Sequence, residues 1–528
     1  MKNLSPVIVD GESLTIEKLI LVARGRRAVY LPKDSEAVQK LIRSRAFYLA
    51  SDIRMYGDRL AVGANDNIVI PEEKRIPFQE NLINSLSCGI GRLIHPEIVR
   101  GIMLLRVNAI LHEGCSAIGP DKVLRIIQLL NCDVLPIIHR YGSVGASGDL
   151  VPLAALAAVV RGSGKAWYQG RIRETADVLC ELRLEPLVLR EKEGLSLVNG
   201  TSAMTSMAAF AWYDACYFVK LALACTALSF EASEGITDSL HPFVHSVKPH
   251  PGQQIAARDL RLLLEGSALT KDIDELRAQV ERSVKAGVLT NVVDTQKAYS
   301  QRCSPHVFSP VLTALREIKK VIMCEMNSAN DNPVVNFEEK KIHHTGNFSG
   351  FDIADAMDRL KQQMGLVADL MFAVKERILD ARLNEGLPPS LAGEEPGFNS
   401  GLKGVGLCGT DVYGEAKFLA QPYAPLRRAT ESMNQDIVSF GFGAARQALA
   451  LNEALTMLLA ITLLTVTQAA DLRSGRDPAK LDPRTRKIYE KVRSKVAFVG
   501  KDRPLDEDLE KLVLMIQNRE FDLDSIKI

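Results

Sequence analysis

Among its 528 residues the chain has no Cys-x-x-Cys pair, no excess of one charge and no clear secretory leader. Its nine cysteines, at 88, 115, 132, 180, 216, 225, 303, 324 and 408, are odd in number and scattered. Such spacing argues against a disulfide framework or a structural zinc site and suits a reducing compartment. Lys and Arg total 65 against 64 Asp and Glu, a net charge of +1, so nothing electrostatic points to nucleic acid or a membrane surface. The longest charge-free apolar stretch, ALTMLLAITLLTVTQAA at 454–470, falls short of the ~20 residues of a membrane span. It carries four threonines and a glutamine, and a buried core helix is expected there. The opening MKNLSPVIVDGESLTIEKL has no basic region followed by an apolar core, so a cytoplasmic location is expected. Internal repeats, low-complexity tracts and disordered linkers are not evident.

What is present is an ordinary globular composition, 47% apolar and 24% charged, long enough for several domains or one elongated architecture. Residues 1–190 are mixed, with short segments broken by Gly and Pro. From about 200 onward long helical patterns take over. In the clearest, Ile353, Met357, Leu360, Met364, Val367, Met371, Val374 and Ile378 alternate four and three apart, which places them on one helix seam. Its methionines suit core packing better than a ligand surface. Val311, Leu315, Ile318 and Ile322 repeat the pattern in 311–326. The stretches 203–230 and 443–472 are apolar nearly all round and should be buried helices. The expected fold is mainly α, a bundle of long helices with a mixed N-terminal domain, divided 1–190, 191–473 and 474–528. The last block turns charged and amphipathic and reads as a helical appendage. Helices apolar all round want more burial than one subunit supplies, which implies an oligomer.

The stretch RYGSVGASGDLVPLAALA, from 140, sets glycines at 142, 145 and 148 ahead of a smooth apolar helix. A phosphate cradle would need a lysine, a dinucleotide fingerprint other glycine spacings, and an esterase elbow Gly-x-Ser-x-Gly. None of these fits. One reading is a helix cap, with Ser147 or Asp149 preceding the helix that Val151 and Pro152 open. The other is chemical. In a tight bend the Gly148 amide nitrogen attacks the Ala146 carbonyl carbon, an approach only small residues permit. Loss of water closes a five-membered ring, and loss of the Ser147 hydroxyl leaves an exocyclic methylene. The product is a methylidene-imidazolone, an electrophile made from the chain itself and placed at the positive end of a helix dipole.

Around this stretch the sequence resembles the aromatic amino acid ammonia-lyase and 2,3-aminomutase family. GSVGASGDLVPLAALA is followed, in the family's order, by EGLSLVNGTSAM, KAYSQRCSP, EMNSANDNPV, HTGNFSG, SGLKG and ESMNQDIVSFG. The resemblance covers roughly residues 50–505. It implies a helical fold shared with fumarase and aspartase, a homotetramer with each active site built from three subunits, and the methylidene-imidazolone (MIO) as the only cofactor, with no metal. It also implies residue roles. The ring from Ala146, Ser147 and Gly148 captures the substrate amine, and Tyr56 removes the β-proton. A phenol, with pKa ~10, needs nearby charge to act as base. Arg302 grips the substrate carboxylate, for which a planar bidentate fork is suited. Asn199 and Tyr299 hold the ring oxygen and the amine region. Asn347 and Phe348 line the pocket with Asn330 in support, and Glu431 and Gln435 lie near the amine.

The substrate is narrowed by a few positions. Leu86 stands where tyrosine- or histidine-specific relatives carry a histidine, and an apolar side chain cannot hydrogen-bond a phenol. Gln435 replaces the glutamate of histidine lyases, while Lys403 and Glu431 match the phenylalanine type. The expectation is therefore elimination of ammonia from phenylalanine to give the trans-unsaturated acid, with 2,3-aminomutase as the alternative outcome. The loop YGDRLAVGANDN departs from the family pattern at Asp58, Arg59 and Leu60, His306 replaces a glutamine, and Ser349 replaces a common histidine. Charges beside Tyr56 bear on its pKa, on loop closure or on the substrate. His306 suits a hydrogen bond to the substrate ring region. Two other classes stand beside this reading: an inactive relative, on the altered loop, and a metal-dependent hydrolase, on His241, His245 and His250. Pro242 and the lack of a nearby carboxylate count against the metal.

Overall fold

The computed structural model describes residues 5–51, 53, 55–287, 296–426 and 428–528. Long helices dominate it, and the strands are short. Those used below are α1 (Arg75–Leu86), α2 (Pro96–Leu111), α3 (Leu150–Arg161), α4 (Glu193–Val198) and α5 (Ser202–Ala232). They continue with α6 (Ser304–Met326), α7 (Phe351–Leu379), α8 (Lys403–Leu419) and α9 (Gly441–Ser474). Two shorter helices, α10 (Pro483–Arg493) and α11 (Asp506–Gln517), close the chain. Between α2 and α4, Leu135–Pro136, Lys165–Tyr168 and Arg171–Glu174 pair into an antiparallel sheet, with Trp167 opposite Ile172.

Packing divides the chain into two units that interleave in sequence. The first takes Met1–Ala211, Ile318–Asp358 and Pro422–Leu449; the second takes Trp212–Glu317, Arg359–Gln421 and Ala450–Ile528. The blocks 1–190, 191–473 and 474–528 follow composition along the chain, whereas the two units follow contacts made in space.

The period-3.5 seam becomes α7, and all eight of its apolar residues are buried. The stretches 203–230 and 443–472 become α5 and α9, 31 and 34 residues long. By length and apolarity alone each would cross a membrane, but 89% and 78% of their apolar windows are buried within the chain. The polar residues of α9 explain how such a helix sits in a core. Thr456, Thr462 and Thr465 each donate to the carbonyl four residues back. Gln468 donates to Val499 O at 2.9 Å and accepts from Val499 N at 3.1 Å, so its amide is satisfied by backbone.

One local expectation changes. Asp149, not Ser147, holds the N-cap position of α3, but its carboxylate makes no capping bond to that helix. It turns instead to the first turn of α5 and accepts from Met204 N at 2.7 Å. The reason is geometric: Asp149 N donates to Gly200 O at 2.7 Å, which aims its side chain at the helix that follows Gly200. At its other end α3 stops at Gly162 with φ +98°, the left-handed position glycine takes without strain.

The core is expected to respond at its seam. Met364→Ala should lower stability by about 2–5 kcal/mol, seen as an earlier urea midpoint. Leu514→Ala, at a side chain 55% exposed on α11, should change it by less than about 0.5 kcal/mol.

Candidate active site

The turn Ser143–Asp149 is shaped by glycines that have no room for anything else. Gly148 has φ +71°, and a Cβ there would lie 2.2 Å from Gly200 O. Gly145 has φ +68°, and its Cβ would meet Ser439 Oγ at 2.2 Å. Gly200 is closed from behind, where a Cβ would meet an Arg106 guanidinium nitrogen at 2.0 Å and Asn330 O at 2.7 Å. The front is fastened by Ser439, which donates to Gly145 O at 2.9 Å, and by Phe440 N, which donates to Val144 O. Ser143 Oγ donates to Asp149 Oδ1 at 2.8 Å and receives Gly145 N. Asp149 is fully buried, and burial pushes its carboxyl up to about 7 against the bonds from Met204 and Ser143 that favour its charge.

Two side chains reach the turn. Asn199 Nδ2 donates to the Ser147 carbonyl oxygen at 3.2 Å, while its buried Oδ1 has no partner among the described residues. That carbonyl is the one a bond from Gly148 N to Ala146 C would retain inside the ring. Gln435 Nε2 donates to Ser147 Oγ at 3.3 Å, the hydroxyl that dehydration would expel. Gln435 follows Glu431, Ser432 and Met433, all with left-handed φ, so the polypeptide is strained where it presents this amide.

Tyr56 lies half-buried in a loop of its own. Its phenol oxygen accepts from Gly63 N at 2.8 Å. Glu431 Oε1 occupies the space beside Gly63, 1.5 Å from where a Cβ would stand. Burial raises the Tyr56 pKa and the Glu431 and Asp66 charges add to this, while the Gly63 amide opposes it by stabilising the phenolate. The unusual Asp58 turns inward. It is 2% exposed and accepts from Tyr48 at 2.8 Å, in a cluster with Met55, Ala117 and Val335. Arg59 donates to Ser51 O at 2.5 Å.

The remaining expected residues fall in two groups. Leu86 ends α1, half-buried. Asn347 is exposed and lines a cavity of about 510 Å³ with His112, Cys115 and Phe337, and Phe348 is half-buried beside it. Asn330 is buried behind the turn, receiving Thr201 N and donating to Ser328, so it supports Gly200. Tyr299, Arg302, His306 and Lys403 belong to the second unit. There the Arg302 guanidinium lies 4.7 Å from the centre of the Tyr299 ring, and its buried Nε has no partner among the described residues. Tyr299 and Lys403 are exposed. The His306 ring lies 5.9 Å from that of His245, and burial lowers the pKa of both. His245 bonds to Ser239 O and Gln253, and His241 caps Pro242–Ser246 by accepting from Phe243 N. Two of the three histidines that suggested a metal, His241 and His245, are thus engaged in local structure.

The family model described as aromatic amino acid lyase matches residues 14–494. The chain belongs to the aromatic amino acid lyase family. It is 36% identical over 525 residues to an MIO-dependent tyrosine 2,3-aminomutase of Streptomyces globisporus, covering 98% of this chain and 96% of that protein. A histidine ammonia-lyase of Caldanaerobacter subterraneus is 35% identical, with 95% of each chain covered. The solved phenylalanine aminomutase of Pantoea agglomerans is 31% identical with a TM-score of 0.93, covering 99% of this chain and 100% of that one. The fold is that of the fumarase/aspartase-like superfamily, and the chain is an enzyme of carbon–nitrogen lyase type.

In this member of the aromatic amino acid lyase family several residues of the site carry no motif of their own. Arg106 acts across 90 residues or more, the Asp149 carboxylate across 55, and Gly200 meets Asp149 across 51, all beyond any local pattern. The hint for Gly200 was the run Asn-Gly-Thr, a glycine placed where a helix begins. Gln79, fully buried, was not marked by any periodicity.

The Tyr56 surroundings make a pH prediction. Glu431→Gln removes a negative charge that raises the phenol pKa, so the phenolate forms more readily. The rising limb of kcat/KM against pH should then move to lower pH, and Glu431→Asp should leave it near its original place.

Proposed function

We propose that this enzyme eliminates ammonia from an aromatic L-α-amino acid, phenylalanine favoured, to give the trans-unsaturated acid, using an MIO group formed from its own Ala146, Ser147 and Gly148. The observation that supports it most is the clasped turn, in which Gly148 has no space for a side chain and is set against Gly200. That cradle, with the unpartnered Asn199 Oδ1 beside it, fits the ring chemically. The group supplies an electrophile for the substrate amine. Asn199 holds the Ser147 carbonyl oxygen, and Gln435 holds the hydroxyl that leaves. Tyr56 takes the β-proton at its phenol oxygen, assisted by the Gly63 amide that favours its charged form. Arg302, with its partnerless Nε, is assigned the substrate carboxylate, with Tyr299 beside it, and His306 the substrate ring region. Asn347 and Phe348 are assigned the pocket wall, with Lys403 and Glu431 completing the phenylalanine-type set.

Leu86 supports an unsubstituted ring, because no group there pairs a phenol. Relatives named for tyrosine, histidine and phenylalanine span the family, and this position separates the choices. The enzyme is proposed to work in the cytoplasm as a homotetramer with composite active sites. Leu407 and Phe418, exposed on α8, suit burial by further subunits. A second reading, 2,3-aminomutase, is favoured by the inward-turned Asp58, which ties down the loop that carries Tyr56.

Incubation with phenylalanine, tyrosine and histidine, scored for ammonia and for β-amino acid, tests the substrate. Phenylalanine should turn over fastest; a preference for tyrosine or histidine would overturn the choice. Mass analysis of the peptide around Ser147 should show loss of two waters, absent in Ser147→Ala together with the activity. Tyr56→Phe should keep that mass signature and lose about 10²–10⁴-fold in kcat.

A further inference from the structure

Three consecutive residues of the Tyr56 loop are each tied to the protein. Gln79 Nε2 donates to Gly57 O at 2.8 Å. The same side chain accepts Gly194 N at 3.0 Å and Leu195 N at 3.3 Å through Oε1, and so fastens the loop to the start of α4. That helix ends at Asn199, whose side chain touches Ser147. Gly57 has φ +77°, and a Cβ there would strike Leu195 Cδ2 at 2.2 Å, so the loop lies flat on α4. Asp58 accepts from Tyr48, both 2% exposed, and Arg59 donates to Ser51 O. Asp58 and Arg59 are also two of the three residues, with Leu60, by which the loop departs from the family pattern.

Lifting this loop would leave a buried tyrosine hydroxyl, a buried amide and a carboxylate without partners, which is strongly unfavourable. We propose that Tyr48 and Gln79 are positioning residues that clasp the Tyr56 loop through Asp58 and Gly57, keep it shut during turnover and so direct the reaction toward return of the amine to Cβ. This inference rests on the second reading proposed above, 2,3-aminomutase, and release of the unsaturated acid alone by the wild type overturns it. In the forward half the Cα–N and Cβ–H bonds break, the Cα=Cβ bond forms and the proton passes to the Tyr56 oxygen. If the unsaturated acid stays, nitrogen bonds to Cβ and the same proton goes to Cα, a net isomerisation that needs no further reactant. If the loop opens first, the acid and ammonia leave.

The test uses hydrogen–deuterium exchange of the peptide spanning 55–63 and the ratio of β-amino acid to unsaturated acid made from phenylalanine or tyrosine. Tyr48→Phe removes one hydroxyl, and Gln79→Leu removes the second anchor independently should either variant fold poorly. Both should speed exchange about tenfold or more and lower the product ratio at least about fivefold. Asp58→Asn, which still accepts from Tyr48, should stay near the wild type in both readouts. Exchange unchanged in Tyr48→Phe and Gln79→Leu, or a loosened loop with an unchanged ratio, overturns the proposal. A wild type that turns over no amino acid defeats the proposed function instead, and the exchange rates still decide whether the clasp exists.

Discussion

Two glycine backbones pressed together, Gly148 on Gly200, set the geometry on which the rest of the site depends. A Cβ on Gly148 would strike Gly200, and one on Gly200 would strike Arg106 and Asn330 behind it. Arg106, fully buried, backs Gly200 and donates to Ser196 O at 2.6 Å, while Asn330 receives Thr201 N. On the other side, Ser143, Ser439 and Asp149 hold the turn by hydrogen bonds that are mostly to backbone. Side chains that could change rotamer are therefore few where the polypeptide must bend hardest, and position follows from main-chain geometry.

Charge is buried around this contact on a scale that stability alone does not explain. Lys192 and Asp331 pair at 2.7 Å with neither side chain exposed, and Lys192 also reaches Ser116 O and Ser196 Oγ. Lys122 and Glu193 pair at 2.8 Å at the start of α4, where Glu193 also receives Gly119 N. Desolvating such pairs offsets much of their attraction, so their yield is in orientation. Each aligns α4 or the segment after it, and α4 carries Asn199 at one end and meets the Tyr56 loop at the other. The Tyr56 loop and the Ser143–Asp149 turn are referred to one short helix.

Much of the helical architecture was legible because periodicity is local arithmetic. The Ile353–Ile378 seam needs only its own spacing to be recognised, and α7 follows it to within a residue or two. The tight turn at 145–148 was legible for another reason, since a run of small residues with glycines permits that bend. What escaped was non-local. Asp149 does stand at the cap of the helix beside it, but its carboxylate bonds to Met204 N, 55 residues on. Asp58 read as a charge beside the base, yet it points away into the Tyr48 cluster, and no spacing in the sequence encodes that turn. The interleaving of the two units in sequence is likewise a property of contacts, which composition along the chain does not report.

The Asp149 carboxylate ties the turn to the first turn of α5, a helix that exists only once its apolar residues are packed. Bending the turn and docking that helix are thus one event. A nascent chain, or one that has misfolded, lacks the compressed geometry and carries an ordinary alanine, serine and glycine there. Under the proposed function this arrangement would confine reactivity to finished molecules: quality control would be written into the bond that completes the fold, and an immature chain would display no electrophile to the thiols and amines of the surrounding cell.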